Sequence, residues 1–296
     1  MPSNPRMMGY LFALLATIFW SGNFLVSRAV AESFSPIMTT YLRWLVALAV
    51  TLPFGWKYLR ADWPIIRQHF NYFALLSIIG VSLMQICIYI AGQTTAVLNM
   101  SLIASSSPIW IVLSARILLG DTINARQVVG MCIAILGTLL LLTHGDLTLL
   151  YHLTFTIGDL WVLASSLLFG IYSALLRKKP DGVSGLGLLV CTFVMGFAVL
   201  TPFALWAVYS GTLMHFTVQS ITGILYIGIF ASCLAFITWN KAVEIIGPSQ
   251  SALVYYSIPF FSAFEGYALL GEQIRFEQIG SGILILTGSI IAMKRQ

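Results

Sequence analysis

Two charged side chains lie inside strongly apolar stretches, and they raise the first chemical question. Arg43 stands about seven residues into one apolar run, roughly 10 Å at 1.5 Å per residue. Glu265 stands five residues before the end of another, or about 7.5 Å. If those runs lie in lipid, a lone charge at mid-depth costs about 2.5–3.5 kcal/mol on the insertion scale, so each needs a partner or water. Glu265 is the candidate ion-coupling residue, as a proton or amine site, and Arg43 a structural or gating charge. Two arrangements stay open. Both charges could face the interior of a helix bundle, as a direct pair or apart. Alternatively, Arg43 holds loop carbonyls and Glu265 snorkels to outer water.

Uncharged polar groups recur in the same runs. Gln85 and Tyr89 share a helical face at i, i+4. Asn23, Asn99, Tyr172 and Tyr255 add amides and phenols, and with Gln85 and Tyr89 they form the candidate substrate-binding set. A cavity lined this way suits a small amphipathic solute. Ordinary interhelical hydrogen bonding and interfacial aromatics remain the alternative for each residue taken singly. Other chemistry finds little support. Cys87, Cys132, Cys191 and Cys233 fall within apolar runs and show no CxxC spacing. His69, His144, His152 and His215 fall in connections, so no metal-ligand cluster assembles from adjacent positions. No Gly-rich phosphate loop is present, which argues against ATP-driven work by this chain alone. No cofactor is expected. An enzyme would need convergent ionisable or nucleophilic groups at one depth, and these are lacking.

The elements that must position these residues follow from composition. The chain is 59% hydrophobic and 8% charged, far below the roughly 25% charged of soluble domains. Ten apolar runs are counted, at about 8–29, 36–56, 71–92, 97–119, 127–143, 157–176, 184–209, 219–240, 248–270 and 274–293. Most reach the roughly 20 residues that a helix needs to cross the hydrocarbon core. The longest connections, about 57–70, 144–156 and 210–218, are too short to fold alone. Ala29-Val30-Ala31 mimics a signal-peptidase site. The run from Met8, however, exceeds a 7–15-residue signal core and Arg28 directly precedes the small residues, so the run reads as a permanent helix.

The chain repeats itself. Pro108 answers Pro259, Leu119-Gly120 answers Leu270-Gly271, Asp121 answers Glu272, Gln127 answers Gln278 and Gly137 answers Gly288, at a constant offset of 151 without a gap. Trp20-Ser21 answers Phe169-Gly170 and Asn23 answers Tyr172 at an offset of 149. This predicts two five-helix repeats, 1–143 and 157–293. Five is odd, so the second repeat is inverted relative to the first, an architecture of secondary transporters with the site between the halves. Each mid-run proline leaves a carbonyl unpaired, that of Ala104 for Pro108 and that of Tyr255 for Pro259. The corresponding helices are expected to bend around a central cavity, with a packing kink as the plainer reading. Charge sets the orientation. With the N-terminus in the cytoplasm, inside segments hold Arg6, Lys57, Arg60, Arg67, Arg116, Arg126, Arg177, Lys178, Lys179, Lys241, Lys294 and Arg295. Arg28 and Arg275 fall outside, so twelve of fifteen basic residues share one side, as the positive-inside rule requires. Both termini are therefore expected in the cytoplasm. Lipid head groups explain the net charge of +5 without a nucleic-acid partner. Gly130, Ala134, Gly137, Ser281 and Gly288 allow close helix contact, within one chain or at a dimer seam, so monomer and homodimer are both open.

The runs IYIAGQTTAVLNMSLIASSSPIWIVLSARILLGDTINARQVVG and WNKAVEIIGPSQSALVYYSIPFFSAFEGYALLGEQIRFEQIGSGILILTG carry a shared pattern of proline, Leu-Gly-Asp/Glu, Gln and Gly. In this the chain resembles the drug/metabolite transporter superfamily, in its ten-helix EamA-type branch. Ala13, Trp20, Asn23 and Arg43 also fit that pattern. The resemblance covers essentially the whole chain. It implies an all-α polytopic fold in the inner (plasma) membrane and secondary transport of a small-molecule solute, most often export. It does not specify the solute, since the branch includes exporters of amino acids and other small metabolites. Asp121 replaces the usual Glu, and Glu265 lies where relatives are often apolar or small, which points to a subgroup with its own solute or ion coupling.

Overall fold

Helix ends in this chain are set by side-chain caps more than by the edges of the apolar runs. The computed structural model describes residues 5–31, 33–91, 94–95, 100, 103–143, 145–152, 156–212, 214–258, 260–262, 264–265 and 276–293. The main helices are α1 (Pro5–Ala31), α2 (Pro36–Gln68), α3 (Phe70–Ala91), α4 (Ser107–Leu119), α5 (Ala125–Leu142), α6 (Ile157–Leu176), α7 (Gly185–Tyr209), α8 (Val218–Ile246), α9 (Pro248–Tyr255) and α10 (Phe276–Met293). Among the described residues no strand forms, and a lone bridge ties Phe34 to Met214. Five helices, α2, α3, α6, α7 and α8, are long and apolar enough to cross a membrane. Helices α4, α5 and α10 hold shorter apolar segments.

Helix α2 corrects one expectation. The stretch 57–70 was expected to be a connection, but the helix runs unbroken to Gln68 through Pro53 and Pro64. Its 33 residues span about 50 Å, well beyond the roughly 30 Å of a hydrocarbon core. The reason lies in a distant side chain. Asp62, buried, accepts from both the backbone N–H and the hydroxyl of Ser184, at 2.9 and 2.6 Å. Ser184 in turn caps α7 by accepting from Gly187 N. The extension is thus anchored to the start of α7, and exposed Trp56 and Trp63 suit an interfacial position beside Lys57 and Arg60.

In its first copy the repeated motif proves to be helix punctuation, while Leu270-Gly271 and Glu272 of the second lie outside the described residues. Gly120 ends α4 in the left-handed region, at φ 74°, which favours glycine. Asp121 accepts from the Ser249 hydroxyl at 2.9 Å, joining the end of α4 to the start of α9. Gln127 completes a capping box with Asn124 at the start of α5. Pro108 also behaves differently from expectation. It occupies the first turn of α4, where a missing N–H is harmless, and the chain breaks before it at Ser105-Ser106. An equivalent break follows α9 at Tyr256-Ser257, 151 residues on. Its mate Pro259 lies outside the described residues.

Helices α3 and α8 share a second irregularity. Each passes through a π-helical stretch, Ile78–Leu83 in α3 and Ile227–Leu234 in α8. The two stretches start 149 residues apart, so they too are repeat mates. Such segments loosen the carbonyl ladder and are common at functional sites.

Contacts between helices repeat with the sequence. Helix α5 packs on α10, and α2 on α7. The pair α1–α8 has its counterpart in α3–α6, and α4–α6 has its counterpart in α1–α9. The α5–α10 seam is close and antiparallel. A Cβ on Gly288 would meet Ala134 N, and one on Gly137 would meet Ile285 N, each the other's image at an offset of 151. The small residues of these helices therefore serve packing within the chain.

Candidate functional site

A cavity of about 90 Å³ opens between the halves. Asn23 of α1, Arg43 of α2, Gln85 of α3, Ser107 of α4, Ser165 and Ser166 of α6 and Tyr255 of α9 supply its polar lining. Trp20, Phe169 and Phe236 supply much of the apolar wall. Trp20 is the centre of an aromatic box. Its ring lies 5.4 Å from Phe169, 5.3 Å from Trp239, 5.9 Å from Phe236 and 5.9 Å from Tyr255. Edge-on and tilted pairs of this kind hold a wall rigid, at about 0.5–1.5 kcal/mol each beyond burial.

Arg43 is 1% exposed and sits between the π-helical stretch of α8 and the turn of α3 that follows its own π-helical stretch. Its Nε donates to Ser232 Oγ at 2.8 Å. Nη1 donates to Gln85 Oε1 at 2.8 Å and to the Tyr89 hydroxyl at 3.1 Å. Nη2 donates to the Ala231 carbonyl at 3.3 Å, and the Trp20 indole donates to the same oxygen at 2.9 Å. The π-helical turn of α8 thus turns a backbone carbonyl into a ligand for side chains of α1 and α2. Arg43 also stacks near the Trp44 ring, 5.3 Å from its centre.

Glu265 lies elsewhere and does not pair with Arg43. Its Oε1 accepts from the Ser21 hydroxyl at 2.8 Å, and its Oε2 is buried without a hydrogen-bond partner. Gly22 leaves room beside it. A Cβ there would collide with the Tyr226 hydroxyl and come within 3.3 Å of Glu265 Oε2. The carboxylate therefore sits in a narrow site between α1 and α8.

Of the other candidates, Asn23, Gln85 and Tyr255 line the cavity and Tyr89 reaches it through Arg43. The Asn23 Oδ1 is buried with no partner. Tyr172 does not line the cavity. It is fully buried, its hydroxyl donates to Asn240 Oδ1 at 3.1 Å, and its ring fills the space that Gly80 leaves. Asn99 lies outside the described residues. Ser232 and the Ala231 carbonyl were not foreseen, because no hydrophobic periodicity announces a π-helical turn. Ser107 and the Ser165-Ser166 pair were legible as hydroxyls within apolar runs, but nothing in the sequence orients them.

Behind Tyr172 and Asn240 lies a second cavity of about 330 Å³, lined by Asn240, Lys179, Lys241 and Glu244. Glu244 pairs there with Lys241 at 2.9 Å and Lys179 at 3.4 Å. Among the described residues no His, Cys, Asp or Glu cluster could hold a metal.

A duplicated set of apolar helices around a central polar cavity is the build of a polytopic membrane transporter. The chain belongs to the EamA-like transporter family, whose model matches residues 7–143 and 156–294. It is similar to the Bacillus subtilis protein named uncharacterized transporter YyaM, at 24% identity over 283 residues, 96% of this chain and 92% of the relative. It is 23% identical over 288 residues to an uncharacterized transporter of Archaeoglobus fulgidus, covering 97% and 98%. A Streptantibioticus cattleyicolor protein named "Probable terminal-alkyne amino-acid exporter" is 26% identical over 254 residues, 84% of this chain and 80% of the relative. A solved crystal structure superposes with a TM-score of 0.77 at 19% identity over 96% of both chains, which shows a shared fold.

Proposed function

We propose that this chain is a secondary transporter that exports small organic metabolites, with amino acids the leading class, by alternating access. The observation that carries the reading is a polar cavity whose lining comes from both halves, α1–α4 on one side and α6, α8 and α9 on the other. Asn23, Gln85, Tyr89 and Tyr255 face or reach the solute, Arg43 orders them, and Glu265 couples an ion or gates. Ten spans in two inverted repeats are supported by the antiparallel, image-related seam of α5 and α10. Cytoplasmic termini and an inner-membrane location rest on the twelve-of-fifteen basic asymmetry. The amino-acid class is supported by the family resemblance and by the name of one relative.

Counterflow with purified protein in proteoliposomes, using a broad metabolite panel at two pH values, tests the activity. Saturable flux of at least one small organic solute is expected. A folded protein that moves none of them overturns the reading. Orientation is tested by thiol labelling of cysteines placed at Ser35 and at exposed Arg60, which should react from opposite sides. Asp62 is unsuitable for this purpose, because Ser184 holds it.

A further inference from the structure

Among the described residues the cation in the central cavity has no anion. Four of the five N–H groups of Arg43 are taken, by Ser232, Gln85, Tyr89 and the Ala231 carbonyl. Every one of those acceptors is neutral. Among the described residues the ion pairs join Glu244 to Lys179 and Lys241, and none involves Arg43. The acceptors therefore fix the position and plane of a side chain that lines the cavity, while one Nη2 hydrogen is left without an acceptor and, among the described residues, only the Trp44 ring and neutral oxygens face the charge.

A held, desolvated guanidinium is a recognition group for an oxyanion. Charge-assisted bonds to a carboxylate are about twice as strong as the neutral bonds that hold Arg43 in place. Because those neutral bonds already order the side chain, little further rotamer freedom is lost when an anion arrives. The same cavity offers Asn23 Oδ1, a buried acceptor with no partner. It suits an ammonium or another donor on the far end of a short solute.

We propose that Arg43 is the carboxylate-recognition group of the solute site, so that the solutes are small carboxylic acids, with α-amino acids matched at both ends by Arg43 and Asn23. The inference rests on the transporter reading and sharpens its solute class. Arg43 then contacts the solute directly, and Gln85 and Tyr89 are positioning residues that act through it.

The test uses matched pairs that differ only in the carboxylate. Thermal unfolding of the purified full chain in detergent is followed with L-alanine, L-serine, L-leucine, lactate and acetate, each against its carboxamide. At least one acid should raise the midpoint saturably, and its amide should need about tenfold more or worse, a gap of about 1.4 kcal/mol. Arg43→Lys should keep the preference for the acid at weaker affinity, and Arg43→Gln should erase it. Acid and amide acting equally on the wild type would overturn the assignment, and so would a preference that survives Arg43→Gln. A panel in which no acid acts overturns it as well. If Arg43→Gln does not fold, the wild-type comparison decides alone. A purely structural Arg43 would show a lowered midpoint with an unchanged acid-to-amide ratio. The two readings fail separately. Flux of a neutral or cationic solute without acid preference removes the carboxylate and keeps the transporter. Saturable acid binding with no flux of any solute does the reverse.

Discussion

Arg43 and Glu265 are both single charges set within apolar helices, and their surroundings differ in kind. Arg43 is held by acceptors from α3 and from the π-helical turn of α8, so it ties three helices together. Among the described residues Glu265 is held by one hydroxyl, and its second oxygen is buried without a partner. A charge held by four bonds to neutral ligands cannot move without breaking several of them, although one N–H stays free. A half-coordinated carboxylate can change its proton or its partner at small structural cost. Under the proposed alternating access, the contrast would separate a group that orders the solute from a group that can switch.

The comparison breaks most readily at Arg43. Arg43→Ala should leave Gln85 Oε1 and Ser232 Oγ buried without their donor. Each buried neutral acceptor left without its donor costs about 1–3 kcal/mol. The expected outcome is a sharply lowered unfolding midpoint in detergent together with lost flux. A midpoint within a few degrees of wild type would show that the guanidinium is not part of the scaffold. The next largest effect should lie at the other site. In Gly22→Val the new side chain meets the Tyr226 hydroxyl and crowds Glu265, an overpacking worth about 1–3 kcal/mol. Stability and flux should both fall, and unaltered stability would mean that the gap beside Glu265 is wider than described.

A third substitution sharpens the boundary of the cavity. Tyr172→Phe removes the bond to Asn240 Oδ1, at about 0.5–1.5 kcal/mol, and leaves the ring that fills the space at Gly80. Because Tyr172 does not line the cavity, flux should stay near wild type once expression is matched. A large fall in flux at unchanged stability would return Tyr172 to the solute path.

The sequence carried the helical class and the duplication because both are written in residue types at fixed spacing. Offsets of 149 and 151 residues map not only the motifs but also the π-helical stretches and the breaks at Ser105-Ser106 and Tyr256-Ser257. What those motifs do was not legible. Leu-Gly-Asp and Gln stood out as repeat markers and, in the first copy, are a left-handed cap, a tether to Ser249 and a capping box. The end of α2 was placed too early because charge begins at Lys57, whereas the helix continues on the strength of a bond from Asp62 to Ser184. That bond spans 122 residues, and no local rule anticipates it. Asn23, Gln85 and Tyr255 come together because each sits on a helix facing the other half. Tyr172 shares Asn23's place in the repeat but not its surroundings, since its hydroxyl bonds Asn240 and its ring fills the space at Gly80.

The smallest effect on stability, and the most specific on mechanism, is expected for Glu265→Gln. The substitution keeps shape and keeps an oxygen for the Ser21 hydroxyl. The atom that changes is the one with no partner, so no existing bond is lost. The unfolding midpoint should therefore move less than in any of the substitutions above, since no existing hydrogen bond is broken. Function should respond quite differently. If Glu265 takes up and releases the coupled proton, wild-type counterflow or uphill export varies with pH, and the amide, which cannot titrate in this range, removes that variation. Flux of the mutant should be low or flat across pH at intact fold. Among the described residues the neighbouring groups include Ser21, Gly22 and Tyr226, none of which titrates near neutrality in water, so an abolished pH response points to the carboxylate. Flux and pH response that both match wild type would take Glu265 out of the mechanism and leave Arg43 as the functional one of the two charges.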